Sequence, residues 1–236
     1  MVTPVKVAVE SRSVSGRPVP SVGGDGELAH HGYRVREVSQ PEWRRKAGML
    51  INRMYSWRGY QAGIVSALPD RPTWITLETS KGEHVFGTLS LGIDSIEGLF
   101  ADALFRNEVN ALRAAGHKLC QVSSLALDPE HSSKQMLASL FHRAYIHARI
   151  IHKATDVIIE VNPRHAKFYR RMLGFRQVGR AQICPRVNAP AVLLHLEFAY
   201  LEARIGKYAG YRISPASLFL RQLQRSIQTT AAPPKP

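Results

Sequence analysis

The sequence predicts an α/β (α+β) fold, a mixed central sheet with helices on both faces. Three observations predict it. Apolar runs of strand period and of helix period alternate through the middle of the chain. An antiparallel hairpin precedes that alternation, and a β-branched strand near its end passes through Asn-Pro directly into a short helix.

The elements follow in order. Residues 1–31 read as a flexible basic arm, because SRSVSGRPVPSVGGDGE is rich in Ser, Gly and Pro and has no sustained period. Tyr33–Val38 is expected as a first strand. From Pro41 to Tyr55, the residues Trp43, Ala47, Leu50, Ile51 and Met54 recur at helical spacing. TWITLETSKGEHVFGTLSL reads as a hairpin joined across Ser80-Lys81-Gly82-Glu83. Leu99–Ala115 puts Phe105, Val109 and Leu112 on one helix face and stops at Gly116. Lys118–Leu127 reads as a strand that Asp128-Pro129 breaks. Ser133–Lys153 is the longest expected helix, with Met136, Leu140, Ala144, Ala148 and Ile151 as its core stripe. Asp156–Val161 is a buried strand by its Val/Ile run, after which Asn162 can cap a helix and Pro163 suits its first turn. Gly174 ends that helix, Phe175 opens another strand, and Ala191–Phe198 forms the last. No repeat or linker divides residues 32–200, which read as one domain, and residues 201–236 read as a helical extension ending in the tail TTAAPPKP.

The chain of 236 residues is 44% hydrophobic and 21% charged, the composition of a globular protein able to bury a core. Its 32 Lys+Arg against 18 Asp+Glu give a formal net charge of +14, which implies attraction to an acidic partner: nucleic acid, an anionic membrane surface, or an acidic carrier. Cys120 and Cys184 have no metal-ligand spacing and read as ordinary thiols of a reducing cytoplasm. With neither signal peptide nor membrane span apparent, the protein is expected in the cytoplasm, its charge permitting peripheral membrane contact.

In order, the chain has a hairpin ending GTLSL, a helix LFADALFRNEVNALRAAG, a strand LCQVSSLALDP, a long helix, and VNPRHAKFYRRMLGF. Over roughly residues 33–198 this resembles the N-acyl amino acid synthases, a branch of the GNAT acyltransferase superfamily related to the acyl-homoserine-lactone synthases. The resemblance implies a GNAT fold with a cleft between two splayed parallel strands, here Gln121–Leu127 and Val157–Val161. It implies transfer of an acyl chain from acyl-phosphopantetheine on an acyl carrier protein to the α-amine of an amino acid, often tyrosine, with no permanently bound cofactor. Acyl-CoA is the other donor of the superfamily. Where acetyl-CoA-dependent relatives have a Gly-rich pyrophosphate loop, this chain has DPEHSSKQ, which suits a carrier with a single phosphate. The synthase branch also often has an acidic residue near the start of the first cleft strand and a basic one three positions on; Gln121 and Ser124 stand here instead.

Aminolysis of a thioester needs a neutral amine, oxyanion donors and a proton for the leaving thiolate. By the resemblance, backbone N–H groups along Ser124, Leu125, Ala126 and Leu127 supply the oxyanion donors if the strand bulges there. Tyr169 either protonates the thiolate or packs under the sheet. Glu108 either takes the amine's proton or is a solvated helix residue. Asp94 and Asp102 are acceptor-side carboxylates or structural ones, Asp102 suiting the first turn of its helix. Tyr55, Arg58 and Tyr60 in MYSWRGYQ are placed to close over the acceptor, Arg58 gripping its carboxylate, or else to pack as an aromatic loop. The donor phosphate is expected at Ser133, Lys134 and Gln135, where helix N–H groups point outward. Asn162 and Phe168 are donor-side candidates, although Asn162 already has a structural role as a helix cap. Lys134, Arg143 and Arg149, with His142 and His147, form an expected solvated basic face on which an acidic carrier could dock. None of the 10 histidines sits in a metal-binding motif, and no metal is expected. Two other functions fit parts of the sequence: an acetyl-CoA-dependent N-acetyltransferase, and a basic nucleic-acid-binding protein, for which no helix-turn-helix, zinc-finger or RNP pattern speaks.

Overall fold

The structure, a computed structural model, describes residues 28–30, 33–60 and 71–208. Eight strands form one sheet: β1 (Leu28–His30), β2 (Tyr33–Glu37), β3 (Trp74–Lys81), β4 (His84–Ile93), β5 (Leu119–Leu127), β6 (Asp156–Val161), β7 (Arg176–Cys184) and β8 (Ala189–Glu197). Their order is β1-β2-β3-β4-β5-β6-β8-β7, and each neighbouring pair is antiparallel except the parallel β5 and β6. The helices are α1 (Pro41–Trp57), α2 (Asp102–Ala114), α3 (Lys134–Tyr145), α4 (Pro163–Met172) and α5 (Phe198–Tyr208). This is the expected mixed sheet with helices on both faces. Among the described residues no helix is long and apolar enough to cross a membrane.

Strand alternation explains the two faces. On β6, Val157 and Ile159 join the core under α3, α4 and α5, while Ile158 joins Phe105 and Val109 of α2 on the other side. α1 buries Ala47, Leu50, Ile51 and Met54 against Val38, Val85 and Ala126. The hairpin β3–β4 turns on Gly82 (φ 57°) and Glu83, between the paired Lys81 and His84. At Gly92 the sheet has no room for a side chain: an added Cβ would lie 2.3 Å from the Trp74 ring.

Two expectations need correcting. The sheet starts before Tyr33, since β1 lies within the segment read as an arm and pairs with β2. The long helix is also not α-helical throughout. Its last turn, Ile146–Ile151, is a π-helix, closed by the bond from the His152 N–H to the His147 carbonyl. The wider turn rotates the residues after it, so Ala148 stays buried while Ile151 is 56% exposed. The rest of the arm, Gln61 and the tail beyond Tyr208 lie outside the described residues.

Candidate active site

β5 and β6 are paired only from Leu119 opposite Asp156 to Val122 opposite Ile159. Beyond that point both strands continue without each other and the sheet opens. The cause is local to β5. Ser90 pairs with Ser123 and Thr88 with Ala126, so Ser124 and Leu125 together stand opposite Leu89. That is a β-bulge, and Ser124 adopts φ 51° to make it. The Thr88 hydroxyl donates to the Ser124 carbonyl at 3.0 Å and holds the bulge in place. The extra residue also reverses the facing of everything after it: Leu125 and Leu127 turn toward the α3 side, and Ala126 toward α1.

The opening is a cavity of about 590 Å³. Its floor is the separated strand ends, Val122–Leu125 with Leu127, and Ile159–Asn162. Tyr55, Arg58 and Tyr60 close one side, His165 and Tyr169 of α4 another, and the β7–β8 turn with Arg186 a third. Of the residues expected from sequence, Tyr55, Arg58, Tyr60, Ser124, Leu125, Leu127, Asn162 and Tyr169 meet here. Asn162 also caps α4, its side-chain oxygen accepting from the Arg164 N–H at 3.1 Å.

Tyr169 stands edge-on to Phe168 and Phe175, and no described residue hydrogen-bonds its hydroxyl. Burial pushes the phenol pKa well up, with Tyr55 adding to the rise and Arg58 opposing it. The group stays protonated at neutral pH, as a proton donor must. Tyr55 is likewise pushed up by burial, to about 12, although Arg186 and Arg58 pull it down.

The remaining candidates lie outside the cavity. Ala126 is turned away by the bulge. Glu108 lies against β7, where a Cβ added to Gly179 would come within 2.7 Å of its Oε1. Asp94 and Asp102 are both held by Arg113, at 2.7 Å from its Nη2 in each case. For Asp102, burial alone would raise the pKa, but the bonds from Arg113 and the Leu99 N–H hold it below the ordinary carboxylate value. These two carboxylates are occupied in fastening α2 to the end of β4. Ser133 caps α3, its hydroxyl accepting from the Met136 N–H at 3.1 Å, and Lys134 and Gln135 are exposed at the same helix start. Phe168 points outward, 46% exposed.

The solvated basic face expected along the long helix is not there. His142 is buried, Arg143 and His147 are partly buried, and Arg149 is paired with Glu202 of α5 at 2.9 Å. Helix α3 packs across β2, β3 and β4, burial lowers its Arg143, and burial in the π turn pushes His147 down to about 4. Of that set only Lys134 remains an exposed cation.

Sequence reasoning passed over Glu160. Its side chain is 7% exposed and lies in the cavity wall. Oε2 is ion-paired with Arg186 and lies 3.4 Å from Gln121 Nε2, whereas Oε1 is buried without a partner. Arg186 in turn stacks on Phe100, its guanidinium carbon 4.8 Å from the ring centre, and burial lowers its pKa. The available signal was an acid in the same strand phase as Ile158, at the end of an otherwise apolar run. Together the cavity holds an unpartnered carboxylate oxygen, two hydroxyls that remain protonated, backbone at a bulge, and the cations Arg58, Arg71 and Arg186. Such a set can take a proton from an amine, polarise a carbonyl and protonate a leaving group.

A family model for N-acyl amino acid synthase FeeM matches residues 46–197. The solved structure of FeeM, an N-acyl amino acid synthase from uncultured soil microbes, is similar with a TM-score of 0.65 and 29% identity, over 72% of this chain and 93% of that one. An uncharacterized protein from Bacillus halodurans has a TM-score of 0.52 and 11% identity, over 87% of this chain and 97% of its own, a likeness of fold alone. An acyl-CoA N-acyltransferase from Pseudomonas aeruginosa has a TM-score of 0.46 and 14% identity, over 69% and 97%. The comparison with curated proteins returns no match.

Proposed function

The chain belongs to the N-acyl amino acid synthase FeeM family, acyltransferases of the GNAT fold, and on that premise we propose that it moves a long-chain acyl group from an acyl carrier protein thioester to the α-amine of an amino acid. The observation that carries this reading is the bulged, splayed end of β5 and β6 with Glu160 Oε1 unpartnered in its wall.

Glu160 takes a proton from the acceptor's ammonium, leaving a neutral amine. The amine nitrogen attacks the thioester carbonyl, and backbone N–H groups at the Ser124 bulge stabilise the oxyanion. The C–S bond then breaks, Tyr169 gives its proton to the departing thiolate, and the new amide nitrogen loses its second proton to restore the phenol. Arg58 receives the acceptor's carboxylate. The rings of Tyr55, Tyr60 and Phe100 in the cavity wall favour an aromatic acceptor such as tyrosine.

The loop after β5 supports a carrier rather than CoA. The N–H groups of Glu130, His131 and Ser132 all turn inward onto Asp128, at 3.1, 3.3 and 2.8 Å, and so are not available to cradle a diphosphate. The unsatisfied N–H groups at Lys134 and Gln135 remain for one phosphate. A small apolar pocket of about 40 Å³ shares Val122 and Ile159 with the main cavity and has room for only the first methylenes of an acyl tail.

Incubating the protein with a long-chain acyl carrier protein and mixed amino acids should yield an N-acyl amino acid by mass spectrometry, with the acceptor identified in the same spectrum. Turnover with acetyl-CoA and none with the acylated carrier would overturn the donor assignment.

A further inference from the structure

Away from the cavity wall, three side chains distant in sequence meet where β4 begins and β5 ends. His84 opens β4, Asp128 follows β5, and His131 lies in the turn before α3. One nitrogen from each imidazole and one Asp128 oxygen lie within 4.8 Å of one another. His84 Nε2 is 3.8 Å and His131 Nδ1 3.3 Å from Asp128 Oδ2. We propose that His84, Asp128 and His131 form a three-ligand site for a divalent transition-metal ion such as Zn²⁺.

The donor set and its spacing point to that class of ion. Two imidazoles and a carboxylate are zinc, copper or nickel ligands, whereas magnesium and calcium take oxygen shells. Donors ~2.0–2.1 Å from a tetrahedral ion stand roughly 3.3–3.4 Å apart, which His131 Nδ1 meets at 3.3 Å from Oδ2 and His84 Nε2, at 3.8 Å, reaches by moving inward. Both imidazoles, 55% and 49% exposed, have room for the small rotations that bring them together and leave a side open for water.

The site is also held in shape before any ion arrives. Phe86 is buried and carries both rings, His84 at 4.8 Å and His131 at 5.2 Å between centres. The Asp128 carboxylate is 6% exposed, and its Oδ1 accepts from the Glu130 N–H at 3.1 Å. Its backbone is fixed as well, the Asp128 N–H donating to the Phe86 carbonyl at 2.7 Å. These anchors fix the Asp128 carboxylate through Oδ1 and its backbone, and leave Oδ2 facing the two imidazoles. The sequence spacing hides this, because only the pairing of β4 with β5 brings residue 84 to residues 128 and 131.

One cation already competes for that oxygen. Arg53 Nη2 lies 2.7 Å from Oδ2, on a side chain 53% exposed that can withdraw into water. Metal and guanidinium are thus alternative partners of Asp128. The test uses the full chain, stripped of metal, titrated with Zn²⁺ against a fluorescent zinc chelator and separately with Co²⁺ followed by its visible absorption. Wild type is expected to bind one equivalent and to gain thermal stability with Zn²⁺. His84→Ala and His131→Ala should each weaken binding at least about tenfold; both residues are half-exposed, so the fold should persist. Arg53→Gln, which releases Oδ2, should bind more tightly than wild type. Unchanged affinity in either histidine variant overturns the site. So does the absence of Zn²⁺-dependent stabilisation in wild type and Arg53→Gln alike.

Discussion

Glu160 and Tyr169 stand on either side of the helix cap Asn162, one at the end of a strand and one on a helix, and both reach the same cavity. Their proposed roles separate by pH. Glu160→Gln keeps the shape and a partner for Arg186 but removes the base, so kcat should fall by about 10²–10⁴-fold near neutral pH. The deficit should shrink as pH rises, because the amine then arrives already neutral. Tyr169→Phe should cost a similar factor that does not recover with pH, since the missing proton is the one given to the thiolate. A Glu160→Gln deficit independent of pH would assign that carboxylate to binding. Tyr169 was legible in the sequence because the Asn-Pro, Phe-Tyr and Leu-Gly-Phe marks place it on a helix leaving a strand. Glu160 was not. An acid in a strand reveals its surroundings only when the neighbouring strand is known to part from it, and Arg186 arrives from a distant turn.

The bulge in β5 is the element on which the cleft depends. Sequence could mark Lys118–Leu127 as a strand and name Ser124–Leu127 as the segment of interest, but an extra residue leaves no trace in alternation when Ser, Leu and Ala fill the positions. The pairings with β4 alone reveal it. The same limit hid the π turn after α3, since Ala144, Ala148 and Ile151 satisfy a helical stripe whether or not the turn widens. Backbone geometry makes the bulge testable. Ser124 has φ 51°, a region costly to β-branched residues. Ser124→Val should therefore lower stability by about 1–2 kcal/mol and reduce activity further than stability alone explains, read by denaturant unfolding and kcat on one sample. Stability and rate both equal to wild type would show that the positive φ is not needed to open the strands.

At the scale of the whole molecule, charge sets the acid limit. A net +14 at pH 7 grows as carboxylates protonate, so self-repulsion rises in acid. Among the described residues, two carboxylates shielded from solvent, Asp102 and Asp128, resist protonation. Burial opposes them both, yet Arg113 with the Leu99 N–H for Asp102, and the Glu130 N–H, His131 and Arg53 for Asp128, hold them below the ordinary value. The stability they contribute is fully present above the unfolded value of about 3.9 and is lost as pH falls through their lower folded values. The melting temperature should thus drop steeply below about pH 4. Arg113→Met should melt lower than wild type at pH 7, and the gap should narrow in acid as Asp102 becomes neutral in both. A gap that stays constant would assign the effect of Arg113 to packing.

The strand order β6-β8-β7 has a consequence for a chain emerging from the ribosome. β8 must lie between β6 and β7, pairing with β6 from Asp156 opposite Glu197 to Val161 opposite Val192. The turn before it brings Arg186 to Glu160. A nascent chain that has finished α4 already contains Glu160, Tyr169 and the bulge, yet the acid has no counter-ion and the pocket lacks a wall. Catalytic competence therefore waits on the docking of the final hairpin, late in translation. A chain stalled before Glu197 would expose an unpaired β6 edge, the surface most prone to join another copy.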